Sequence, residues 1–289
     1  MSMELFGNAL LSGLLLGGFY AAVAVGITIA FGMLDIVNIA HPAFIMLGAF
    51  VAYWLNVEYG LDPLLAALVA APFAYIAGRG LYRYYHGVFE RRSEDSLQGL
   101  AFFFGLLFVV EVSLLLVFGV DYRFVSAPYI GPSLTFGDYS VPYRMLVPFL
   151  AGLGVVALIA LYLGRTFTGR AILAVSQDPG ALRLVGGNPV KIKEAAFGLS
   201  IATAMLAGAL LVIIQPIEPS MGREFIGRAF AICVLGGMTS LLGTVVAGAI
   251  LGVAEAMTTT YVGAAWGPAV SFGLLLITLA VRPSGIFGR

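Results

Sequence analysis

The sequence contains few charged residues for its length. Only 10% of its 289 residues are Asp, Glu, Lys or Arg, whereas soluble proteins carry about a quarter. The charges balance to a net charge of +0, so nothing favours a nucleic-acid partner. Hydrophobic residues make up 61% of the chain, and 37 residues are glycines. This combination is typical of polytopic helical membrane proteins, in which pairs such as Gly13 with Gly17 and Gly248 with Gly252 allow close helix contacts.

Residue types that build covalent frameworks, metal sites and nucleotide sites are also scarce. Cys233 is the single cysteine, which excludes a disulfide framework and a thiolate metal cluster. His41 and His86 are too few for a histidine-rich metal site, and we predict no cofactor. No Gly–Lys pair occurs, so the chain lacks the glycine-rich loop that binds nucleotide phosphates. The first basic residue is Arg79, so a cleaved signal peptide is not expected.

Hydrophobic runs long enough to cross a bilayer, about 20 residues each, recur along the chain. We predict spans at residues 5–31, 42–57, 63–82, 97–119, 144–164, 195–215 and 266–282. A further apolar region, 227–258, is interrupted by glycines and brings the total to about eight. The sequence therefore predicts an all-α transmembrane bundle that forms a single domain over residues 1–289.

Basic residues indicate which connections face the cytoplasm. They cluster after the third predicted span (Arg79, Arg83, Arg91, Arg92), in the segment 165–193 (Arg165, Arg170, Arg183, Lys191, Lys193) and at the C-terminus (Arg282, Arg289). The other connections are acidic or have balanced charge. We therefore expect the N-terminus outside and the C-terminus in the cytoplasm.

Two polar segments interrupt apolar regions without adding basic charge. They are "FGMLDIVNIAHPAF" (31–44) and "LGGMTSLLGTVVAG" (235–248). The roughly ten residues before the second break cover only about 15 Å at the helical rise, half a bilayer. A broken or re-entrant helix is the simplest interpretation, and a tilted helix with a glycine kink is the alternative. Irregular backbone at membrane depth is tolerated where it lines a water-filled cavity, so both segments are candidates for a translocation path.

Acidic residues also occur within apolar stretches. Glu111 lies near the middle of the span 97–119, where a carboxylate costs roughly 2.5–3.5 kcal/mol on insertion scales. It is either part of a path or pairs with a neighbouring helix. Glu255 is expected near the outer interface, where water solvates it. The predicted path residues are Asp35, Asn38, His41, Glu111, Thr239 and Ser240, although Asn38 and His41 could equally form a structural polar cluster.

The basic segment 165–193 carries turn signals at defined points. Asp178 before Pro179 predicts an N-cap followed by the first helical residue. Gly186 and Gly187 then predict the end of this short helix, 179–185. Residues 170–177 predict another short helix upstream, and Asn188–Pro189 predicts the start of the next span. A loop built in this way suits docking into a groove of another protein, and lying on anionic lipid is the alternative.

Three stretches together resemble one family. "GLLLGGFYAAVAVGITIAFGMLDIVNIAHPAFIMLGAFVAY", "GRAILAVSQDPGALRLVGGN" and "LGGMTSLLGTVVAGAILGVAEAM…AVRPSGIFG" are similar, in that order, to LivH-type permeases of branched-chain amino-acid ABC importers. The resemblance covers most of the chain. Pro42 departs from the glycine usual after Asn-x-Ala-His in this family, and the outer loop 120–143 is rich in aromatic residues. Because related permeases import urea, amides and carboxylic acids, the resemblance does not name the substrate.

The resemblance implies a permease subunit of the bacterial inner membrane. It implies two cytoplasmic ABC ATPases, an extracytoplasmic substrate-binding protein, and a second LivM-type permease or a second copy of this chain as partners. The residues that it implies for ATPase coupling are Arg170, Gln177, Asp178, Pro179, Arg183, Gly186 and Gly187. The alternatives are an ion-gradient-driven carrier or channel with Glu111 as proton relay, and an intramembrane enzyme. For the enzyme, the sequence offers no nucleophile–base pair.

Overall fold

The computed structural model describes residues 3–90, 96–137 and 139–288. Arg91, Arg92 and Arg289, on which part of the predicted orientation depends, lie outside the described residues. The helices are α1 (Met3–Ile27), α2 (His41–Tyr59), α3 (Pro63–Tyr85), α4 (Ser96–Phe118), α5 (Tyr143–Arg165), α6 (Phe167–Gln177), α7 (Pro179–Leu184), α8 (Pro189–Ile214), α9 (Glu224–Gly236), α10 (Leu241–Tyr261) and α11 (Gly267–Val281). Strands β1 (Ser133–Phe136) and β2 (Tyr139–Pro142) form an antiparallel hairpin within the aromatic loop.

Seven helical segments in the described part of the chain are long and apolar enough to cross a membrane. They are Met3–Met33, Pro63–Glu90, Leu97–Phe118, Tyr143–Arg165, Pro189–Ile214, Leu241–Tyr261 and Ala264–Val281. The predicted all-α membrane bundle is confirmed. The predicted count of about eight spans is approximate, because it also included 42–57, which forms α2.

Helices α1 and α8 form the centre of the bundle. Their apolar windows are 83% buried, against 17–39% for the other spans. The outer helices direct large apolar side chains outward, for example Phe73 and Ile76 on α3 and Leu116 on α4. Such faces are typical of helices that contact lipid.

Small residues allow the central helices to pack backbone against backbone. Gly13 and Gly17 of α1 lie against Gly252 and Gly248 of antiparallel α10. A Cβ added to Gly17 would lie 2.6 Å from the Cα of Ala249. The spacing predicted to be a packing device therefore joins these two glycine pairs to each other.

The first helix break is shorter than the predicted segment 31–44. Helix α1 continues as a π-helical turn, Thr28–Met33, and α2 already begins at His41, so the irregular backbone covers 34–40. Asp35 has a left-handed φ of 58°, which ends the helical path. His41 and Pro42 therefore lie in the first turn of α2 rather than in the break.

The second break covers only residues 237–240, between α9 and α10. Gly237 has a φ of 95°, and the Ser240 hydroxyl caps α10 by accepting from Gly243 N at 3.0 Å. At about 1.5 Å per residue the 13 residues of α9 cover about 20 Å, too short for a full crossing. The apolar region 227–258 is therefore a broken helix pair, and the alternative of one tilted, kinked helix is wrong.

The two breaks meet inside the fold. A Cβ on Gly32 would overlap the carbonyl group of Met238, so the end of α1 touches the second break. The C-terminal tail closes the same region, because Ile286 N donates to Leu235 O at 2.8 Å and Phe287 N donates to Gly236 O at 3.3 Å. These bonds satisfy carbonyl groups that the end of α9 would otherwise leave unpaired.

Candidate functional site

The bundle has two ends with different chemistry. The first, which we call the loop end, contains the end of α3, the start of α8 and the connection formed by α6 and α7. The second, which we call the cavity end, contains the start of α1 and the end of α8, and both helices line one cavity there. The predicted coupling residues occupy the loop end, and an unpredicted charged cavity occupies the other.

Capping side chains shape each part of the loop end. Thr166 accepts from Gly169 N at 2.9 Å, so α6 begins at Phe167 rather than at Arg170 as predicted. Asp178 accepts from Gly180 N at 2.7 Å and from Ala181 N at 3.0 Å, which confirms it as the N-cap of α7. Gly186 has a φ of 82° just after α7, and Asn188 caps α8 through Lys191 N at 3.2 Å. The loop is therefore a fixed structure with two short helices.

The loop end exposes both apolar and basic side chains. Phe167, Leu184 and Val185 are 87%, 89% and 81% exposed. They lie beside a groove of about 760 Å³ between α6, α7 and the start of α8. Of the predicted coupling residues, Arg170, Gly186 and Gly187 line this groove. Gln177, Asp178, Pro179 and Arg183 are exposed beside it.

Ion pairs join the start of α8 to the end of α3. Glu194 is buried and accepts from Arg83 Nε at 3.1 Å and Nη2 at 3.0 Å. One residue earlier, Lys193 donates to Glu90 at 2.8 Å. Glu90 also accepts from Tyr82 at 2.7 Å. Displacement of the loop end of α8 must therefore displace α3 as well.

The structure places the predicted path residues at separate positions. Glu111 is buried on α4 and forms a two-point ion pair with Arg223, whose Nε donates at 3.0 Å. Arg223 also lies over the ring of Phe108, 5.5 Å from its centroid. Glu111 was predicted either to be part of a path or to pair with a neighbouring helix, and the structure shows it in an ion pair.

Asn38 and His41 are both buried, and His41 at the start of α2 lies against α1. His41 Nε2 lies 3.2 Å from Val23 O, and a Cβ on Gly26 would lie 2.5 Å from the His41 ring. In the part of the chain that the structure describes, His41 Nδ1 and both polar atoms of the Asn38 side chain have no hydrogen-bond partner. These two side chains supply polar groups in the interior of the bundle.

The remaining predicted path residues lie at the breaks. Asp35 and Thr239 are exposed, and Ser240 is half-buried and caps α10. Thr239 and Ser240 line a surface recess together with Leu163 of α5 and Leu173 of α6. This recess is therefore close to the loop end of the bundle.

The charged cavity at the opposite end was missed by the sequence analysis. It has a volume of about 450 Å³ and lies between α1, α8, α9 and α10. Glu255 in it is 4% exposed, so the expectation that water solvates this carboxylate was wrong. Arg228 Nε donates to its two oxygens at 3.0 and 3.3 Å, and the Tyr20 hydroxyl also donates to it. The useful signal was an acid and a base within the single apolar region 227–258.

The rest of the cavity combines a half-exposed carboxylate with apolar walls. Glu224 accepts from Arg228 Nη1 at 3.3 Å, and the Glu224 side chain is 53% exposed. Polar groups at the cavity include Gln215, Thr259 and Thr260. The apolar part is formed by Leu16, Phe19, Leu211, Ile214 and Phe225.

Comparisons with known proteins agree over nearly the whole chain. The model of the family described as "Branched-chain amino acid transport system / permease component" matches residues 9–279. BraD of Pseudomonas aeruginosa, a high-affinity branched-chain amino acid transport system permease protein, is 31% identical over 294 residues, which cover 97% of this chain and 95% of BraD. LivH of Escherichia coli K12, with the same description, is 28% identical over 306 residues, covering 98% and 96%.

A solved structure has a similar fold. PsaBC from Streptococcus pneumoniae, solved in complex with a Fab, aligns with a TM-score of 0.50 and 14% sequence identity. The alignment covers 97% of this chain and 93% of that one. At this identity the likeness concerns the fold alone.

Proposed function

Because the chain belongs to the family of permease components of branched-chain amino acid transport systems, we propose that it is the membrane subunit of an ATP-binding cassette importer for branched-chain amino acids or a related small polar solute. The family membership confirms the resemblance to LivH-type permeases. It also favours a transport subunit over an enzyme and over the ion-driven carrier. ATP hydrolysis then takes place on separate subunits.

The capped loop end is the observation that carries this proposal. Exposed Phe167, Leu184 and Val185 lie beside a groove on a loop whose helices are fixed at both ends by caps. Apolar side chains held outside the bundle in this way are typical of a protein interface. Since the sequence has no phosphate-binding loop, an ATPase docked here would supply the energy for transport.

Charge distribution supports a cytoplasmic position for the loop end. In the described part of the chain, Arg79, Arg83, Arg165, Arg170, Arg183, Lys191, Lys193 and Arg282 are at this end, on or next to the helix termini that meet there. At the cavity end Arg223 pairs with Glu111 and Arg228 with Glu255, and Arg123 lies 4.0 Å from Asp121. The excess of unbalanced basic charge at the loop end favours an N-terminus outside and a C-terminus in the cytoplasm.

The assembly that we propose has the partners expected of such an importer. Two ATPases bind the loop ends of two permeases, one of them this chain and the other a LivM-type permease or a second copy. An extracytoplasmic binding protein delivers solute to the cavity end, where the hairpin β1–β2 lies close to α1 through Ser140 N and Asn8 Oδ1 at 3.2 Å.

Substitution of the loop glycines tests the coupling. Gly186 has a φ of 82°, and a Cβ on Gly187 would lie 2.7 Å from the Leu182 side chain, so valine at both positions would displace the end of α7. In proteoliposomes that contain the assembled importer, Gly186→Val/Gly187→Val should abolish ATP hydrolysis stimulated by the solute-loaded binding protein. Membrane insertion should remain normal.

Gly80→Val is the matched control, because a Cβ at Gly80 of α3 would meet nothing within 4 Å. It should leave the stimulation unchanged. Normal stimulation in the double variant would contradict the coupling role of the loop. Solute transport by the purified chain alone, without ATPases, would contradict the proposed function itself.

A further inference from the structure

We propose that the cavity between α1, α8, α9 and α10 is a solute-binding site on the transport route, in which Arg228 and Glu224 bind the carboxylate and ammonium groups of an α-amino acid and the apolar lining binds its side chain. This inference rests on the proposed function and gives its solute a place in the fold. It also assigns roles to Arg228, Glu224 and the apolar wall that the sequence did not suggest.

The cavity is placed and sized for a small solute. Its volume of about 450 Å³ is within the range of small-molecule sites, about 300–1,000 Å³. Tyr20 and Glu255 are buried, whereas Leu5, Thr259 and Thr260 on the same lining are exposed. A solute can therefore enter from the cavity end and reach charged groups within the bundle.

The charged groups leave one arginine and one carboxylate available to a ligand. Glu255 is fully engaged, because it accepts from both Arg228 Nε and Tyr20. Glu224 is held more loosely, by one bond of 3.3 Å to Arg228 Nη1, and its side chain is half-exposed. A ligand carboxylate can take the place of Glu224 on Arg228, while the released Glu224 pairs with the ligand ammonium group.

The net charge of the cluster selects against an anionic ligand, and the loss of a bond to Arg228 disfavours a cationic one. Arg228 carries one positive charge, and Glu224 and Glu255 together carry two negative charges, so the sum is −1. A monocarboxylate without an ammonium group adds a further negative charge and is repelled. An amine without a carboxylate is attracted by the net charge and pairs with Glu224, but it makes no bond to Arg228, so it gains one charge-assisted bond fewer than an amino acid does. A zwitterion satisfies both groups and leaves the total charge unchanged.

The apolar part of the lining suits an aliphatic side chain. Leu16, Phe19, Leu211, Ile214 and Phe225 provide an apolar surface facing the same space as the charged cluster. Burial of a branched aliphatic side chain against such a surface is favourable. Urea and small amides have no group that would occupy this wall.

Direct binding of radiolabelled leucine tests the site. The wild-type assembly in nanodiscs, without the binding protein, should bind [³H]leucine saturably in a scintillation proximity assay. 4-Methylpentanoate and 3-methylbutylamine, which each lack one charged group of leucine, should compete about tenfold less well or worse, the loss that corresponds to one charge-assisted hydrogen bond. Equal competition by either analogue would overturn the selection of a zwitterion.

Exposed positions provide variants that do not disturb the core. Glu224→Gln should weaken leucine binding by about tenfold or more. Thr259→Phe should fill the entrance and abolish binding. Val262→Phe is the matched control, since Val262 is exposed just beyond α10 and does not line the cavity, and it should bind leucine as the wild type does. Size-exclusion profiles check that all three variants are folded.

The outcomes separate this inference from the proposed function. If Thr259→Phe binds leucine normally, the site is elsewhere and the inference is wrong. The inference is also wrong if the wild-type assembly binds no leucine but still hydrolyses ATP and takes up leucine when the loaded binding protein is added. If the loaded binding protein stimulates no ATP hydrolysis by the wild-type assembly, the proposed function fails instead.

Discussion

The contact between α1 and α10 makes the stability of the bundle sensitive to a single methyl group. A Cβ on Gly17 would lie 2.6 Å from Ala249 Cα and 3.0 Å from the Gly248 carbonyl oxygen. Both neighbours are backbone atoms and cannot rotate away, so Gly17→Ala must push the two helices apart. Gly154 of α5 is the matched control, because a Cβ there would meet nothing within 4 Å.

The same substitution at both positions separates packing from helix propensity. Alanine is favoured over glycine within a helix by about 1 kcal/mol at either site. Overpacking at Gly17 costs about 1–3 kcal/mol. Because each kcal/mol corresponds to about 2–4 °C, the melting temperature of Gly17→Ala should be roughly 2–12 °C below that of Gly154→Ala. The difference between the two variants is therefore the quantity to measure.

The single buried cysteine provides the assay. Cys233 is 1% exposed, so a thiol-reactive fluorophore added to the purified permease in detergent reports unfolding without any engineered label. Melting curves of the wild type, Gly17→Ala and Gly154→Ala are recorded side by side. Equal melting temperatures for the two alanine variants would show that the α1–α10 contact is not as close as described.

Two further substitutions test individual contacts with the same assay. Arg223→Gln leaves the buried carboxylate of Glu111 without its partner and should lower the melting temperature. Adding Glu111→Gln to this variant should recover most of the lost melting temperature. No recovery in the double variant would contradict the pairing. Gly285→Val should accelerate labelling of Cys233 below the melting temperature, because the tail at Gly285 has a φ of 78° and lies against Gly237 at the end of α9. Gly273→Val on α11, where a Cβ meets nothing within 4 Å, should not.

Local chemistry explains why the loop end could be predicted from the sequence. The caps at Asp178 and Asn188 involve backbone N–H groups two or three residues away, and Gly186 lies two residues after the end of α7. Such signals are contained in a few consecutive residues. The predicted start of α6 at Arg170 is three residues late because the N-cap is Thr166, upstream of the predicted helix.

Non-local partners explain what the sequence did not reveal. Glu111 and its partner Arg223 are 112 positions apart, and Glu255 and Tyr20 are 235 apart. Hydropathy describes how apolar a segment is but not which helix faces a given side chain. For this reason hydropathy does not predict the burial of Glu255 and does not separate the two interpretations of Glu111.

The two helix breaks depend on both local signals and non-local contacts. Glycines and polar residues marked the approximate positions of 34–40 and 237–240. Their true limits depend on contacts between distant parts of the chain, such as Gly32 with Met238 and Ile286 with Leu235. The tertiary contacts therefore shorten both breaks relative to the predicted segments.

Helix α8 links the two ends of the molecule without an interruption. Its 26 residues, about 39 Å at the helical rise, run from the cap at Asn188 beside the loop to Ile214 in the cavity lining. Gly198 packs on the backbone of α3 and Gly208 on that of α2, contacts that leave no space for bending. Since such interfaces resist compression, we expect a displacement of the loop end to move α8 and the cavity wall as one body. Helix α8 is therefore the route by which we expect the loop to act on the cavity, since the described residues that line the cavity and those that line the groove are different.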